Sequence, residues 1–421
     1  MLLNYKVENF LSFREQLEFS MMAPKTKVKK RFPNNYVSTK KGCDILKTSV
    51  IVGENAGGKS NFVRSLEYLQ SFFIENRRVK TNKRAVNSSN VNECPRKSNS
   101  CIKFEIEALV EQNIYYLYNL EVDFWGIKKE TLFFKEDEKQ IYKLLLSAER
   151  EECFIDCDGD TSECEVNECE ISGTLQYDLT FPSFNSEMED ALNNTIKNSE
   201  LIGLFVTKLA ILGDNKAIQF TEWLKDNLCP ETYALNYDIY KSVTNAEEDL
   251  KILRDTRYLD IFKMIDYSIV GIEIDEEKPF IDTIVVREKK NGEIYKRTLK
   301  EDSSGVREFF AWAVQIFRVV YENRVVVADE MDRVLNPVLS DRVISFINGK
   351  KHCGQFVFTT HNVLHLDLRN YMKEQIYFIT KDAETLESEI YSLADFPEIR
   401  YDTAKIYEFY MKGILGGTAI E

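Results

Sequence analysis

No apolar run in the chain approaches the ~20 residues of a membrane span, and the opening Met1–Phe10 lacks the apolar stretch of a secretory signal. Positive charge is also short: 55 Lys and Arg against 69 Asp and Glu leave a net charge of −14. That balance argues against a generally basic nucleic-acid coat. The nine cysteines are an odd set without a single C-x-x-C pair, which disfavours a disulfide framework and a usual zinc site. Histidine is scarce, with three in the chain. These absences point to a cytoplasmic protein that is neither membrane-bound nor secreted.

At 421 residues and 44% hydrophobic, the chain is long enough to bury a large core and to form two to three domains. Two local basic clusters interrupt the acidic balance: Lys25, Lys27, Lys29, Lys30 and Arg31, then Arg77, Arg78, Lys80, Lys83 and Arg84. They read either as solvated loops or as phosphate-backbone contacts. Cys153, Cys157, Cys164 and Cys169 are interleaved with Asp156, Asp158 and Asp160. A calcium loop is excluded there, because Thr161 stands where glycine is needed and Asn167 where a bidentate glutamate is needed. The stretch reads as an acidic loop.

The strongest signal is Gly53-Glu54-Asn55-Ala56-Gly57-Gly58-Lys59-Ser60, a G-x-x-x-x-G-K-[ST] phosphate loop. The apolar run Ser49–Val52 before it suits a buried strand. Asn61–Leu69 after it, apolar at Phe62, Val63, Leu66 and Leu69, suits a helix. Gly57 and Gly58 allow backbone N–H groups to converge on phosphate oxygens, and the helix start adds its positive end. Lys59 is expected at the β- and γ-phosphates and the Ser60 hydroxyl on Mg²⁺, with ATP as the ligand.

Far downstream, Arg324–Ala328 is an apolar strand that ends in Asp329 and Glu330. This suits a Walker B element, with Asp329 on the metal and Glu330 as general base toward water. Ser303 or Ser304 can cap a helix whose apolar face holds Phe309, Phe310, Ala313, Val314 and Phe317. A further strand, Gln355–Thr360, runs into His361, which is read as a γ-phosphate sensor.

Together these residues resemble the ATP-binding-cassette class, and more narrowly the SMC/RecF-type heads and OLD-like AAA family ATPases of bacterial anti-phage and abortive-infection loci. Asn55 and Asn61 flank the loop as that branch favours, and Asn9-Phe10-Leu11-Ser12-Phe13 is similar to its N-terminal "NF-x-SF" strand. Ser303-Ser304-Gly305 resembles a degenerate signature motif. Tyr410, Gly413 and Gly416 resemble the Tyr-x-x-Gly-x-x-Gly tail of stand-alone ATPases. The fold implied is α/β: a P-loop NTPase of the ABC/SMC-head type with a mixed sheet and a helical insertion. Residues 1–135 would form the N-terminal lobe, 136–285 an acidic loop and helical lever, and 286–421 the C-terminal lobe.

The resemblance further implies that two heads sandwich two ATP molecules, so that Ser303 and Gly305 complete the partner's site in a homodimer or higher homo-oligomer. Asp332 and Asn336 would lie at that interface. Phe10, Phe13 and Arg14 are implied as candidates beside the adenine. The reduced signature implies slow turnover.

SMC-type proteins carry heptad arms, and the middle of this chain has no sustained heptads. Its residues 186–268 read as a few helices. Leu201, Leu204, Phe205, Lys208, Leu209 and Leu212 form one face, and Trp223, Leu224 and Leu228 belong to another. OLD-type proteins add a Toprim nuclease, and residues 362–421 are too few for a domain of about 100 residues. The expectation is an ATPase that senses a phage trigger protein and controls a separately encoded effector nuclease. A DNA-clamping ATPase of the RecF kind is the alternative. A scaffold without turnover is disfavoured by Glu330, and a transporter head by the insertion.

Overall fold

Two sheets of opposite construction meet across one helix. The computed structural model describes residues 1–39, 43–75, 79–82, 84–88, 101–111, 114–150, 155–157, 169–171, 177–182, 203–231, 246–331, 335–401 and 406–416. The first sheet has seven strands, all antiparallel, in the order Tyr177–Thr180, Lys143–Arg150, Ile127–Lys135, Ile114–Val122, Ile102–Val110, Leu2–Glu8 and Leu17–Ser20. Its strands alternate, as one-sided sheets do. Ile102, Phe104, Ile106 and Ala108 are buried, while Lys103, Glu105 and Glu107 face outward.

The second sheet is buried on both faces. Its order is Leu228–Glu231, Val325–Ala328, Gln355–Thr360, Thr48–Gly53, Ile376–Lys381 and Ser388–Ser392, parallel except for the last strand. Its four central strands are buried along most of their length, and their apolar runs 50–52, Val325–Ala328, 356–358 and 376–379 fit a sheet covered on both faces. The edge strands Leu228–Glu231 and Ser388–Ser392 are partly exposed. Val325 and Val327 join the core shared with the first sheet, whereas Val326 and Ala328 join the opposite core.

Helix Lys59–Ile74 fills the space between the sheets. Its Phe62 ring packs on Tyr5 at 6.1 Å and Phe19 at 5.2 Å, and Phe73 packs on Tyr118 at 5.6 Å. On the far face of the parallel sheet lie helices Ser304–Glu322, Ala246–Leu253, Thr256–Phe262 and Pro337–Gly349, and their side chains form the second core. Gln355 ties the layers together. Its side chain accepts from the Leu2 N–H and donates to the carbonyls of Leu2 and Leu46.

The fold is thus α/β as expected, with a mixed sheet whose strand Thr48–Gly53 runs through the glycine loop into helix Lys59–Ile74, but the boundaries drawn from the sequence need correction. Lys143–Arg150 and Tyr177–Thr180 continue the antiparallel sheet beyond residue 135. Leu228–Glu231 pairs with the Walker B strand, and Ala246–Phe262 packs into the C-terminal core. Segment 136–285 therefore contributes to both lobes. Pro230 fits its strand because that strand is an edge.

The helical reading of 201–228 is also revised. Leu204, Phe205 and Leu209 are buried, but the helix Phe205–Ile211 stops short of Leu212, which is 57% exposed. Trp223–Asn227 is a π-turn, and Leu228 begins a strand. Leu201 and most of the acidic cysteine stretch lie outside the described residues. Within that stretch, the backbone of Ile155–Cys157 pairs with Cys169–Ile171.

Candidate functional site

Strand Thr48–Gly53 ends where Ile379 of the neighbouring strand closes on it: a Cβ on Gly53 would stand 2.4 Å from the Ile379 carbonyl oxygen. The chain then turns through Glu54–Gly58 into helix Lys59–Ile74. Gly58 caps that helix at φ +113°, a region L-residues avoid, and a Cβ there would meet Ser388 Oγ at 2.6 Å. Asn61 Nδ2 donates to Ser12 Oγ at 2.8 Å, and the Ser388 N–H donates to the Ser12 carbonyl at 2.8 Å. The Asn-Phe-x-Ser-Phe turn and the last strand of the parallel sheet thus brace the loop from behind. Gly57 is buried, whereas Asn55 is exposed.

The strand that ends at His361 lies between the Walker A and Walker B strands. That order delivers the imidazole between their two loops. Lys59 Nζ donates to the carbonyls of Gly53 at 2.9 Å and Glu54 at 2.8 Å, and it stands 3.2 Å from His361 Nδ1. His361 Nε2 is 2.8 Å from Glu330 Oε1. Residues from three motifs are thus joined in one line. Glu330 itself adopts a left-handed backbone, φ +48°.

Asp329 extends the Walker B strand. Its N–H donates to the Glu231 carbonyl at 3.0 Å, and its Oδ1 accepts from Thr359 Oγ1 at 2.6 Å. The Glu231 side chain accepts from Gln315 Nε2 at 2.9 Å, and burial pushes its carboxyl up to about 7 against the pull of Arg318. Neither Thr359 nor Glu231 belongs to a sequence motif of the site. The Thr359-Thr360 doublet before His361 was the one visible sign of the first.

Ser303 and Gly305 lie apart from this line. Ser303 caps helix Ser304–Glu322, and its Oγ accepts from the Val306 N–H at 3.3 Å. Among the described residues neither Ser303 nor Gly305 is hydrogen-bonded to the phosphate loop, and Ser303 and Ser304 are exposed. Asn336 caps helix Pro337–Gly349 through the Leu339 N–H at 2.8 Å, while Asp332 lies outside the described residues. Phe10 and Phe13 are 2% and 0% exposed and form part of the core. Their rings are unavailable to a base, which corrects the adenine expectation for both. Arg14 is ion-paired with Glu387 at 3.3 Å.

The tail packs beside the loop. The Tyr410 ring stacks on Phe378 at 5.7 Å, and burial followed by the nearby Glu54 charge pushes its hydroxyl up to about 12. Gly416 has φ +68°, and a Cβ there would meet the Tyr391 hydroxyl at 2.4 Å.

The donor set fits a Mg²⁺-nucleotide. Magnesium takes hard oxygens and keeps most of its shell as water and phosphate, so it needs one or two protein ligands rather than a cage. Ser60 and Asp329 supply such oxygens, and no cluster of three or more metal-binding side chains occurs among the described residues. The glycine-rich turn that leads from strand Thr48–Gly53 into the start of helix Lys59–Ile74 suits a phosphate group.

Residues 181–367 match the family described as "AAA domain, putative AbiEii toxin, Type IV TA system". The match spans Ser303, Asp329, Glu330 and His361 and does not include the loop Gly53–Ser60. No curated protein matches the chain. Three solved structures are similar over nearly its whole length. The Smc head bound to the C-winged helix domain of ScpA is 13% identical, covering 94% of this chain and 99% of that one, with a TM-score of 0.46. The SMC head domain from Thermotoga maritima is 12% identical, with coverage of 93% and 98% and a TM-score of 0.40. The Smc head domain with an extended coiled coil, bound to the C-terminal domain of ScpA derived from Pyrococcus furiosus, is 13% identical, with coverage of 93% and 96% and a TM-score of 0.42. No helix of the described residues is long and apolar enough to cross a membrane.

Proposed function

We propose that this chain, an SMC-like AAA-domain P-loop protein, is an ATPase that binds Mg²⁺-ATP between two heads and regulates a separately encoded effector nuclease in phage defence. The observation that carries the ATPase reading is the line from Lys59 through His361 to Glu330, with contacts of 3.2 Å and 2.8 Å. Three residues from distant parts of the chain meet there with the chemistry that phosphoryl transfer to water needs.

Each side chain has a role that its neighbours support. Lys59 carries a fixed positive charge at the mouth of the glycine cradle, where phosphate charge is to be neutralised. Ser60 and Asp329 would hold Mg²⁺, which when bound neutralises phosphate charge. Glu330 accepts the proton of the attacking water. His361 holds Glu330 in place through Nε2. Ser303, exposed at a helix start, and the half-buried Gly305 beside it would reach the nucleotide of a second head, which makes hydrolysis depend on the dimer.

The regulatory role rests on the abortive-infection family that matches residues 181–367. The net charge of −14 suits a basic protein partner better than DNA. Lys29 in the first basic cluster is also tied to Asp44 rather than left for phosphate.

The test is a pull-down of the Glu330→Gln protein with ATP from its host, read by mass spectrometry and for nucleic acid. One stoichiometric neighbouring-gene product supports the regulatory reading. DNA without a protein partner sinks it in favour of a clamp.

A further inference from the structure

One hydroxyl serves both acids of Walker B. Thr359 is fully buried, second from the end of the strand beside them. The register pairs Ala328 with Phe358, so the next residues on each strand, Asp329 and Thr359, come abreast. Thr359 Oγ1 donates to Asp329 Oδ1 at 2.6 Å and accepts the Glu330 N–H at 2.9 Å. Glu330 is held at φ +48°, a conformation that a non-glycine residue keeps when its surroundings enforce it. The same residue's carboxylate is the one that meets His361.

We propose that Thr359 is a positioning residue that sets both acids at once. Its O–H occupies Asp329 Oδ1 through a short charge-assisted bond, so that Oδ2 is the oxygen left for the cation. Its lone pair holds the Glu330 peptide in the left-handed turn that aims the carboxylate at His361. Thr359 is fully buried, and it acts through Asp329 and Glu330. This inference rests on the ATPase reading.

The test compares Thr359→Val, which keeps shape and loses the hydroxyl, with Thr359→Ser, which keeps the hydroxyl. The full chain is titrated with a fluorescent ATP analogue in EDTA and across a Mg²⁺ series, and phosphate release is measured alongside. In Thr359→Val the gain in affinity that Mg²⁺ confers falls about tenfold, in line with losing a hydrogen bond to a charged group. Affinity in EDTA is unchanged, and kcat falls by at least about tenfold with a smaller change in KM. Thr359→Ser stays near the native values in every readout. The proposal is overturned if Thr359→Val matches the native chain with Mg²⁺, if it loses as much affinity in EDTA, or if Thr359→Ser is as impaired as Thr359→Val. Absence of nucleotide binding by the native chain would overturn the ATPase reading along with it.

Discussion

Lys59 Nζ lies 3.2 Å from His361 Nδ1, although 302 positions separate them in the chain. An ammonium has only protons to offer, so Nδ1 must be the acceptor. Nε2 then carries the imidazole proton and donates to Glu330 Oε1 at 2.8 Å. The flanking charges therefore select one tautomer of a neutral ring. Lysine fixes which nitrogen is bare, and glutamate receives the proton on the other.

The His361→Ala variant loses the donor that holds the Glu330 carboxylate but keeps the glycine cradle and Lys59. Turnover should fall by about 10²-fold, the lower range for a misplaced general base, while ATP affinity stays within about threefold. Single-turnover phosphate release and equilibrium nucleotide binding separate the two. An equal loss in both would show that His361 supports the loop rather than the base.

A Cβ at Gly58 is opposed twice, by the positive φ and by Ser388 Oγ and Cβ at 2.6 and 2.9 Å. Gly58→Ala should abolish the rise in melting temperature on adding ATP. Adding Ser388→Gly to it removes the collision and leaves the backbone cost, about 1–2 kcal/mol for an L-residue in the left-handed region. The double variant should therefore recover only part of the shift. Full recovery would mean that the backbone conformation contributes nothing.

Glu130 is fully buried and accepts the Phe205 N–H at 2.7 Å and the Val206 N–H at 3.0 Å, with Tyr118 Oη donating at 3.0 Å. Burial outweighs these bonds and pushes its carboxyl from 4.5 up to about 7. The folded-state value lies above the unfolded one, so its stabilising effect is fully present below about pH 4.5 and is lost as pH rises through about 7. The span corresponds to roughly 3 kcal/mol. Glu130→Gln keeps one acceptor and cannot ionise. Its denaturation midpoint should fall less than the native one between those pH values. Glu231, Asp249 and Glu374 shift the same way, while the Met1 amine and His352, pushed down by burial, act in the opposite sense, and all of them are common to both proteins. Parallel curves for the two proteins would refute the assignment.

What the sequence discloses here is what is local. The loop Gly53–Ser60 is contiguous with its strand and helix, and Ser303 announces its helix by capping it. Thr359 is different, because its meaning depends on the register of two parallel strands, and no run of neighbouring residues encodes that pairing. The same cause hid Leu228–Glu231, four residues with a proline whose strand character comes only from pairing with Val325–Ala328. Phe10 and Phe13 misled for the opposite reason. A motif placed them near the nucleotide, but their rings turn into the core, where Phe10 meets Tyr68 at 5.4 Å.

Ser303 is exposed and its hydroxyl caps its own helix start, whereas Lys59 is buried in the loop. If the two complete one site across a two-fold dimer, they fail in different protomers. A Lys59→Ala chain still offers an intact signature, and a Ser303→Arg chain still offers an intact loop. Each alone should be inactive. Mixed in equal amounts, half of the dimers formed at random are heterodimers, and each holds one intact site of two. Recovery of about a quarter of native ATPase activity is expected after subunit exchange, if the two sites fire independently. A mixture that stays as inactive as its components would exclude sharing in trans. Activity in Ser303→Arg alone would remove the signature serine from the reaction.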